Sequence, residues 1–329
     1  MTKNKKTACI FGGTGFIGRQ IVRELAKLGY VIKVASRVPE RAYFLRPCGA
    51  VGQIVPLACD YKEESIEQAV KGCDVVVNCI GILYERGKRS TFQKAHVETP
   101  AMIARACTKQ SVERFVHISA LACDIGTSKY AKSKKQGEEE LFAACPTATV
   151  LRPSIVFGPD DGFFNLFAEL SRYLPALPLI GGGHTKFQPV YVGDVSDAVI
   201  ACVKQYKTAG QIYELGGPDI VTFRECLELI AEYTERRRAF IPLPFPLAKA
   251  EAAFLQLLPN PLLTIDQVES LKTDNILSGA HPILEDLGIQ PTALSLILPT
   301  YLKHYRPGGA RAVRKDGPLD GEVEPTAAA

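Results

Sequence analysis

The sequence lacks several patterns that would assign it to common classes of protein. Its ten cysteines and five histidines form neither a CxxC motif nor a zinc-type spacing, so no metal site is predicted. The formal net charge is only +4 over 329 residues, which argues against nucleic acid as the main partner. No uninterrupted apolar run is long enough to cross a bilayer. These absences leave an ordinary globular protein whose cysteines are free thiols in a reducing compartment.

The start of the chain also lacks the pattern of an export signal. Residues 1–6 are short and basic and lead directly into an apolar segment. A secretory signal peptide would have a separate apolar stretch followed by a cleavage site. We therefore expect the protein in the cytoplasm or on a cytoplasmic-side surface.

Apolar segments of strand length alternate with helical patterns through the first part of the chain. Such alternation is typical of parallel strands with helices on both faces. The sequence therefore predicts a doubly wound α/β fold with a Rossmann-type parallel sheet. The predicted strands are residues 7–11, 31–35, 54–58, 74–80, 114–119 and 149–157, and the predicted helices are residues 16–28, 63–70, 92–108 and 129–143.

The strongest motif is the segment GGTGFIG, residues 12–18, between the first predicted strand and the first predicted helix. In this context Gly12 permits a tight turn, Gly15 lets the backbone approach a pyrophosphate, and Gly18 permits close packing of helix and strand. The start of the helix then offers free N–H groups to the phosphates. The dinucleotide is therefore expected to contact Gly12, Gly13, Thr14, Gly15, Phe16, Ile17 and Gly18.

The end of the second strand indicates which dinucleotide is bound. It lacks the acidic residue that would hydrogen-bond the ribose 2′-hydroxyl of NAD and carries Ser36 and Arg37 instead. The Arg37 guanidinium, helped by the Ser36 hydroxyl, suits a 2′-phosphate, so NADPH/NADP is predicted in preference to NAD. Alternatively, Arg37 faces solvent or pairs with Glu40. The remaining nucleoside contacts are expected from residues that follow the third and fourth strands, Asp60, Ile80 and Gly81.

The regular alternation of strand and helix patterns ends at Gly158, where prolines and loops begin to interrupt short helices. We predict an NAD(P)-binding Rossmann domain over residues 1–157, whose core also draws on about residues 186–216. A smaller mixed region over residues 158–305 would face a substrate or partner, and it includes a capping box at Thr222 and Glu225. Residues 306–329 are rich in glycine, proline and charge and are expected to be a disordered tail.

A further group of residues matches a site for proton transfer. Tyr130 and Lys134 are four positions apart on a predicted helix and therefore share one face. The Lys134 ammonium would lower the pKa of Tyr130 from about 10 toward neutrality, so that Tyr130 exchanges a proton while the nicotinamide moves a hydride. Ser119 would hold the substrate oxygen. The acidic run at residues 138–140 is expected to be the solvated face of the same helix.

These residues, in this order, resemble the short-chain dehydrogenase/reductase superfamily in its extended or atypical branch. The resemblance includes residues 12–18, Ser119, Tyr130, Lys134 and the segments RPSIVFGP, residues 152–159, and VYVGDV, residues 190–195. It implies that Ser119, Tyr130 and Lys134 are the catalytic set and that Lys134 also binds the nicotinamide ribose. It further implies that residues 152–159, among them Pro153 and Ile155, lie near the nicotinamide.

A longer stretch resembles one family within that superfamily. LRPSIVFGPDDGFFN, residues 151–165, LPLIGGG, residues 177–183, and FQPVYVGD, residues 187–194, are similar to the nucleotide-binding accessory subunit of respiratory complex I, alpha subcomplex subunit nine, and its bacterial relatives. In that family the cofactor is a tightly held structural element, which implies that Tyr130 and Lys134 are cofactor ligands. The resemblance also implies a bacterial member, complex I subunits or assembly intermediates as partners, and a peripheral position on the cytoplasmic face of the inner membrane.

Several alternatives remain open. The Ser119, Tyr130 and Lys134 set also suits an active NADP-dependent oxidoreductase or epimerase on a small carbonyl or sugar-nucleotide substrate, and a sensor of the NADPH/NADP ratio would share the same fold. The basic cluster that begins the segment from Arg236 to Leu258 precedes apolar residues. This segment predicts a contact with an anionic membrane surface or membrane-associated subunits. The alternative is a solvated helix end followed by a segment that covers the core.

Overall fold

The computed structural model describes residues 6–88, 90–259 and 261–309. Its strands are β1 (Thr7–Phe11), β2 (Val31–Ser36), β3 (Ile54–Ala58), β4 (Val75–Asn78), β5 (Arg114–Ile118), β6 (Thr149–Pro153), β7 (Val156–Phe157), β8 (Ala176–Ile180), β9 (Lys186–Phe187), β10 (Val190–Tyr191), β11 (Ile212–Leu215), β12 (Val221–Thr222) and β13 (Ala239–Leu243). Its α-helices are α1 (Phe16–Lys27), α2 (Glu63–Val70), α3 (Thr99–Lys109), α4 (Lys129–Ala144), α5 (Phe164–Tyr173), α6 (Val192–Lys204), α7 (Phe223–Thr234), α8 (Phe245–Leu255), α9 (Ile265–Ser270) and α10 (Leu294–Leu302).

Seven of the strands form a parallel sheet in the order β11-β6-β5-β4-β1-β2-β3. The direction of winding reverses between β1 and β4, and doubly wound sheets bind ligands in the crevice at the carboxyl ends of the strands beside such a reversal. The architecture is the doubly wound Rossmann-type α/β fold that the hydrophobic alternation predicts.

Alternate residues of β1 point to opposite faces of the sheet and belong to two different cores. Ile10 lies in one core with Ile21 of α1 and Val195 of α6. Phe11 lies in the other core with Ile66 of α2 and with residues of α3 and α4. All ten cysteines are free thiols, and eight of them are buried, mainly in these cores. Helices therefore cover both faces of the sheet.

Apart from α6 and β11, which pack with the main sheet, much of the chain between residues 157 and 305 packs around a third core and forms a smaller mixed region. This region includes a parallel pair, β8 with β13, and an antiparallel pair, β9 with β12, and β10 pairs in parallel with β7. The core is rich in aromatic side chains, including Phe157, Phe164, Phe187 and Phe223. The capping box predicted at Thr222 is present: its hydroxyl accepts from the Glu225 N–H at 3.2 Å and starts α7.

Two predicted elements differ from the structure. The helix expected over residues 92–108 begins as a π-helix over Gln93–Glu98 and continues as α3. The strand expected over residues 149–157 divides into β6, which belongs to the main sheet, and β7, which does not; between them the Ser154 hydroxyl donates to Asn275 Oδ1 at 2.6 Å. β7 then pairs with β10.

The acidic run at residues 138–140 was expected to lie on a solvated helix face, but Glu138 does not. Its carboxylate is buried and accepts from the Arg152 guanidinium of β6 at 2.7 Å. Glu139 and Glu140 are exposed. The expectation failed for Glu138 because a helix of 16 residues turns one carboxylate of the run inward, where β6 supplies a counter-charge.

Arg306, at the predicted start of the tail, belongs to the folded region. Its side chain is buried, and its Nε donates to the Tyr233 carbonyl oxygen at 3.1 Å. Residues 310–329 of the predicted tail lie outside the described residues.

The closest packing between helices is at Gly137 of α4. A methyl group there would overlap the His96 carbonyl oxygen of the π-helix. We expect Gly137→Ala to lower the free energy of unfolding by about 2 to 3 kcal/mol, the usual cost of overpacking. Chemical denaturation measures this change. Gly162→Ala is the control, because no atom lies within 4 Å of its added methyl group; equal stability of the two variants would contradict the packing.

Candidate functional site

The glycine-rich segment forms the turn between β1 and α1. Gly12 has φ +75, and a Cβ there would lie 2.9 Å from the Cys79 carbonyl carbon that follows β4. A Cβ at Gly18 would overlap the Gly12 carbonyl oxygen. The Gly15 N–H donates to that carbonyl at 3.0 Å. The turn therefore brings the start of α1 against the carboxyl ends of β1 and β4, where its N–H groups suit phosphate.

The other residues of the turn differ in exposure. Gly13 is buried, and a Cβ on it would lie 3.0 Å from Val34 Cγ1 of β2. Gly15 is exposed, and Thr14, Phe16 and Ile17 are half-buried around it. Gly12, Gly13 and Gly18 therefore shape the turn, while Gly15 leaves its surface open to a ligand.

At the end of β2, Ser36 and Arg37 have different surroundings. The buried Ser36 hydroxyl donates to the Val38 carbonyl at 3.0 Å and accepts from the Val38 N–H at 3.2 Å. The Arg37 side chain is exposed, and its guanidinium lies 5.6 Å from the centre of the Tyr61 ring. Within the described residues no carboxylate pairs with Arg37, so the alternative pairing with Glu40 is not formed. Ser36 shapes the turn that presents Arg37.

Asp60 is bonded to its own turn at the carboxyl end of β3. Its carboxylate accepts from the Ser65 hydroxyl at 2.6 Å and pairs with Lys62 at 3.0 Å. These partners lower the pKa of Asp60 to about 2. The expected contact between Asp60 and the adenine stays a prediction.

The segment after β4 lies against α4. The Ile80 N–H donates to Asn78 Oδ1 at 3.0 Å, which fixes the exit from the strand. A Cβ at Gly81 would lie 3.5 Å from the Lys134 ammonium nitrogen. Ile80 and Gly81, predicted to run beside the ribose, are therefore next to Lys134, which the resemblance assigns to the same ribose.

Ser119 and Lys134 meet at the carboxyl end of β5. The Lys134 ammonium is buried and donates to the Ile118 carbonyl at 3.2 Å, one residue before Ser119. The Ser119 hydroxyl is buried and has no hydrogen-bond partner within the described residues. Tyr130, one turn before Lys134, is half-buried, and its ring meets the edge of His96 at a centroid distance of 5.3 Å. A buried hydroxyl is costly to leave unbonded, so Ser119 suits a polar ligand atom.

The protonation of this group differs from the sequence expectation. Burial raises the pKa of Tyr130 above its usual value, and Cys123 raises it further. Lys134 is not among the groups that shift Tyr130, so the expected fall of the tyrosine pKa toward neutrality is not found. Burial instead lowers the pKa of Lys134 to about 8. The site disfavours charge on both side chains, because desolvation is the largest effect on each, and for Lys134 it outweighs the attraction of Glu138.

His96 is a site residue that sequence reasoning missed. Its Nε2 accepts from the Ile82 N–H at 3.1 Å, so the ring proton lies on Nδ1, which bonds Ser133 Oγ at 2.8 Å. Ser133 donates in turn to the Tyr130 carbonyl at 2.8 Å. Burial lowers the pKa of His96 to about 3. A neutral histidine thus joins the loop after β4 to α4, a role for which a lone histidine in sequence gives no signal.

The smaller region contributes a second residue that the sequence did not reveal. The Asp266 carboxylate of α9 accepts from the Lys129 N–H at 2.7 Å and the Tyr130 N–H at 3.0 Å. It therefore caps α4 together with Ser128, whose hydroxyl accepts from the Ala131 N–H at 3.1 Å. Asp266 follows Tyr130 by 136 positions, so no local pattern could connect them.

Pro153 and Ile155, expected near the nicotinamide, lie on either side of the exit from β6. The Pro153 carbonyl accepts from the Leu121 N–H at 2.9 Å, two residues beyond Ser119. The Ile155 carbonyl accepts from the Val190 N–H at 2.9 Å. Both bonds hold this segment beside the carboxyl ends of β5 and β6, the side on which Ser119 lies.

The segment from Arg236 to Leu258 has two parts. Arg236 and Arg238 donate to the Tyr305 carbonyl at 2.6 Å and the Ser171 carbonyl at 2.7 Å, so they bind the fold itself. Further on, α8 and the residues after it expose Leu247, Phe254, Leu257 and Leu258. We call these four side chains the α8 apolar face. Within the described residues no helix is long and apolar enough to span a membrane, and none of their His, Cys, Asp and Glu side chains form a metal-binding group.

The doubly wound sheet, the glycine turn and the Ser119, Tyr130 and Lys134 group define a nicotinamide-dinucleotide-binding protein of the short-chain dehydrogenase/reductase class. Residues 8–216 match the NAD dependent epimerase/dehydratase family, to which the chain belongs. The fold is also that of a triphenylmethane reductase from Citrobacter sp., with a TM-score of 0.72 and 17% identity over 90% of this chain and 99% of that one.

Within this class the chain belongs with alpha subcomplex subunit 9 of complex I. It is 35% identical to the mitochondrial NADH dehydrogenase [ubiquinone] 1 alpha subcomplex subunit 9 of Arabidopsis thaliana over 92% of this chain and 78% of that protein. It is also 35% identical to the subunit of the same name from Mus musculus, over 91% of this chain and 80% of that protein. The resemblance stated from residues 151–194 is thereby confirmed.

The residues of this chain fit a nicotinamide dinucleotide. Gly15 leaves the start of α1 open, and the Ser119 hydroxyl is buried without a partner within the described residues. When bound, the nicotinamide ring can donate or accept a hydride. The chain itself would hold the pyrophosphate at the glycine turn and the nicotinamide ribose at Lys134.

The burial of Lys134 predicts a pH dependence of stability. Its pKa is about 8 in the folded protein and 10.5 when unperturbed, so the cost of burying the charge is full below pH 8 and is relieved as the pH rises to about 10.5. Relative to Lys134→Met, the wild type should therefore gain about 3 kcal/mol of unfolding free energy across this window. Denaturation at several pH values measures the difference. Lys135 is exposed, so the difference in unfolding free energy between the wild type and Lys135→Met should not change with pH. If the wild type and Lys134→Met also show the same pH dependence of unfolding free energy, the lowered pKa of Lys134 is refuted.

Proposed function

We propose that this protein is an NADPH-binding accessory protein of NADH:ubiquinone oxidoreductase, complex I, acting in its structure or its assembly. The observation that carries this proposal is the similarity, over 91–92% of the chain, to proteins named as complex I subunits. The dinucleotide would be a bound structural element of the protein rather than a consumed substrate.

The geometry at β2 supports NADPH rather than NADH. Arg37 is exposed at the carboxyl end of this strand and is not engaged by a carboxylate of the described residues. No acidic residue ends the strand to bond a 2′-hydroxyl. A planar guanidinium with free N–H groups is the donor that best suits the oxygens of a 2′-phosphate.

The state of the proton-transfer group supports a structural role for the cofactor. A tyrosine that exchanges protons at neutral pH needs a lowered pKa, whereas burial raises that of Tyr130. Asp266 also ties the first N–H groups of α4 to α9, which restrains the helix that carries Tyr130 and Lys134. Both features favour a role in which the dinucleotide is held and no substrate is converted.

The α8 apolar face supports a partner-binding role for the smaller region. Phe254 and Leu257 are 76% and 79% exposed, and an exposed apolar patch is typical of a contact with a protein or a membrane surface. Because Arg236 and Arg238 bond the fold and only Arg237 of this basic cluster is exposed, apolar contact would contribute more of the binding than positive charge. We propose that this face meets membrane-associated subunits, or the membrane surface itself, on the cytoplasmic side of the inner membrane.

One observation favours a second function, an NADP-dependent oxidoreductase or epimerase that acts on a small carbonyl or sugar-nucleotide substrate. The buried Ser119 hydroxyl has no hydrogen-bond partner within the described residues, so it is free to bond a substrate oxygen, as the resemblance implies. A turnover in a panel of carbonyl compounds that Tyr130→Phe abolishes, with cofactor binding intact, would establish this function.

Cofactor preference tests the nucleotide assignment. Arg37→Ala should weaken NADPH by about 10- to 100-fold, the value of lost charge-assisted hydrogen bonds, and leave NADH nearly unchanged. Titration calorimetry measures both affinities, and mass spectrometry of the nucleotide released on denaturation identifies what the purified protein carries. Arg41→Ala is the matched control, since Arg41 is also exposed and follows the same strand. Equal losses for NADPH and NADH would overturn the assignment.

A membrane pull-down tests the partner assignment. Tagged protein should recover complex I subunits from solubilised membranes, and Phe254→Asp, which places a charge in the α8 apolar face, should lower that recovery severalfold. Leu296→Asp in α10 is the control, because Leu296 is an exposed leucine outside this face. NADPH affinity should be the same in both variants. Undiminished recovery with Phe254→Asp would remove this face from the interface.

A further inference from the structure

Tyr61 has a backbone conformation that a large aromatic residue rarely adopts. Its φ is +65, in the left-handed region where glycine and asparagine are common. Such a conformation costs free energy, and it persists only where the surrounding structure fixes it. The position directly follows Asp60 at the carboxyl end of β3, one strand beyond β2.

The side chain of Tyr61 is fixed on two sides. Its ring lies 6.4 Å from the Phe11 ring of β1, and its hydroxyl donates to the Ala35 carbonyl of β2 at 3.4 Å. Burial raises the pKa of Tyr61 to about 12, so the hydroxyl stays protonated and remains a donor. The ring also faces the Arg37 guanidinium, whose carbon lies 5.6 Å from the ring centre.

No other side chain of the described residues orients Arg37. The Ser36 hydroxyl is used by the Val38 backbone, and the Asp60 carboxylate is bonded to Ser65 and Lys62. A guanidinium over an aromatic ring is attracted to the ring, and its in-plane N–H groups stay free at the edge. Those N–H groups are the ones that bond phosphate oxygens.

We infer that Tyr61 positions Arg37 for the 2′-phosphate and thereby sets the preference for NADPH over NADH. This inference rests on the proposed NADPH binding. Arginine loses rotamer freedom when it binds a phosphate, and a ring that already restrains the guanidinium reduces that loss. The strained backbone of Tyr61 is the conformation that places the ring beside Arg37.

The experiment compares NADPH and NADH affinities in variants of Tyr61. Tyr61→Leu should weaken NADPH by about three- to fivefold and leave NADH nearly unchanged, because among the contacts that are lost only the one with the guanidinium bears on the 2′-phosphate. Tyr61→Phe keeps the ring and should restore the wild-type ratio of affinities. Tyr61→Asn tolerates the positive φ but lacks the ring, so it should weaken NADPH as Tyr61→Leu does. It therefore replaces Tyr61→Leu in the comparison if the leucine variant folds poorly.

A double-mutant cycle with Arg37 isolates the coupling. In the Arg37→Ala background, Tyr61→Leu should cause no further loss of NADPH affinity. The inference would be overturned if the losses of NADPH affinity in the two single variants add up in the double variant. It would also be overturned if Tyr61→Leu and Tyr61→Asn both keep the wild-type ratio of NADPH to NADH affinity. Either result would leave the assignment of NADPH intact. If Arg37→Ala itself leaves the ratio unchanged, the proposed NADPH preference fails instead.

Discussion

The close packing of the glycine turn is the constraint on which the candidate site depends. Gly12 has no room for a side chain beside the Cys79 carbonyl, and Gly18 has none beside the Gly12 carbonyl. These contacts place the start of α1 at the reversal between β1 and β4, so the N–H groups of the helix, the segment after β4 and Lys134 converge on one crevice. A larger residue at either glycine would separate these elements, and a diphosphate would lose the surface that the turn provides.

Burial disfavours charge at the centre of the site, whereas charged side chains at its edge are exposed to solvent. Lys134, His96 and Tyr130 are all shifted toward their neutral forms by burial, whereas Arg37 and Asp60 are exposed. A desolvated centre strengthens the hydrogen bonds made there. It also raises the cost of forming a phenolate.

The sequence predicted what depends on local pattern. The succession of apolar strand segments and helical patterns identified the sheet, and the glycines between β1 and α1 identified its nucleotide-binding turn. Long-range contacts were not predictable in this way. Glu138 was assigned to a solvated face because its partner Arg152 lies on another element, and the expected activation of Tyr130 failed because spacing on a helix does not report desolvation. The contacts of His96 and Asp266 have no counterpart in spacing at all.

The helix α4 connects the two parts of the molecule. Its first N–H groups are bonded by Asp266 of α9, and its middle is held to β6 by the buried pair of Glu138 and Arg152. The smaller region therefore contributes directly to the position of the helix that carries Tyr130 and Lys134. Lys134 lies on α4 between these two restraints, so its position beside the carboxyl end of β5 depends on residues of two distant elements and not on the helix alone.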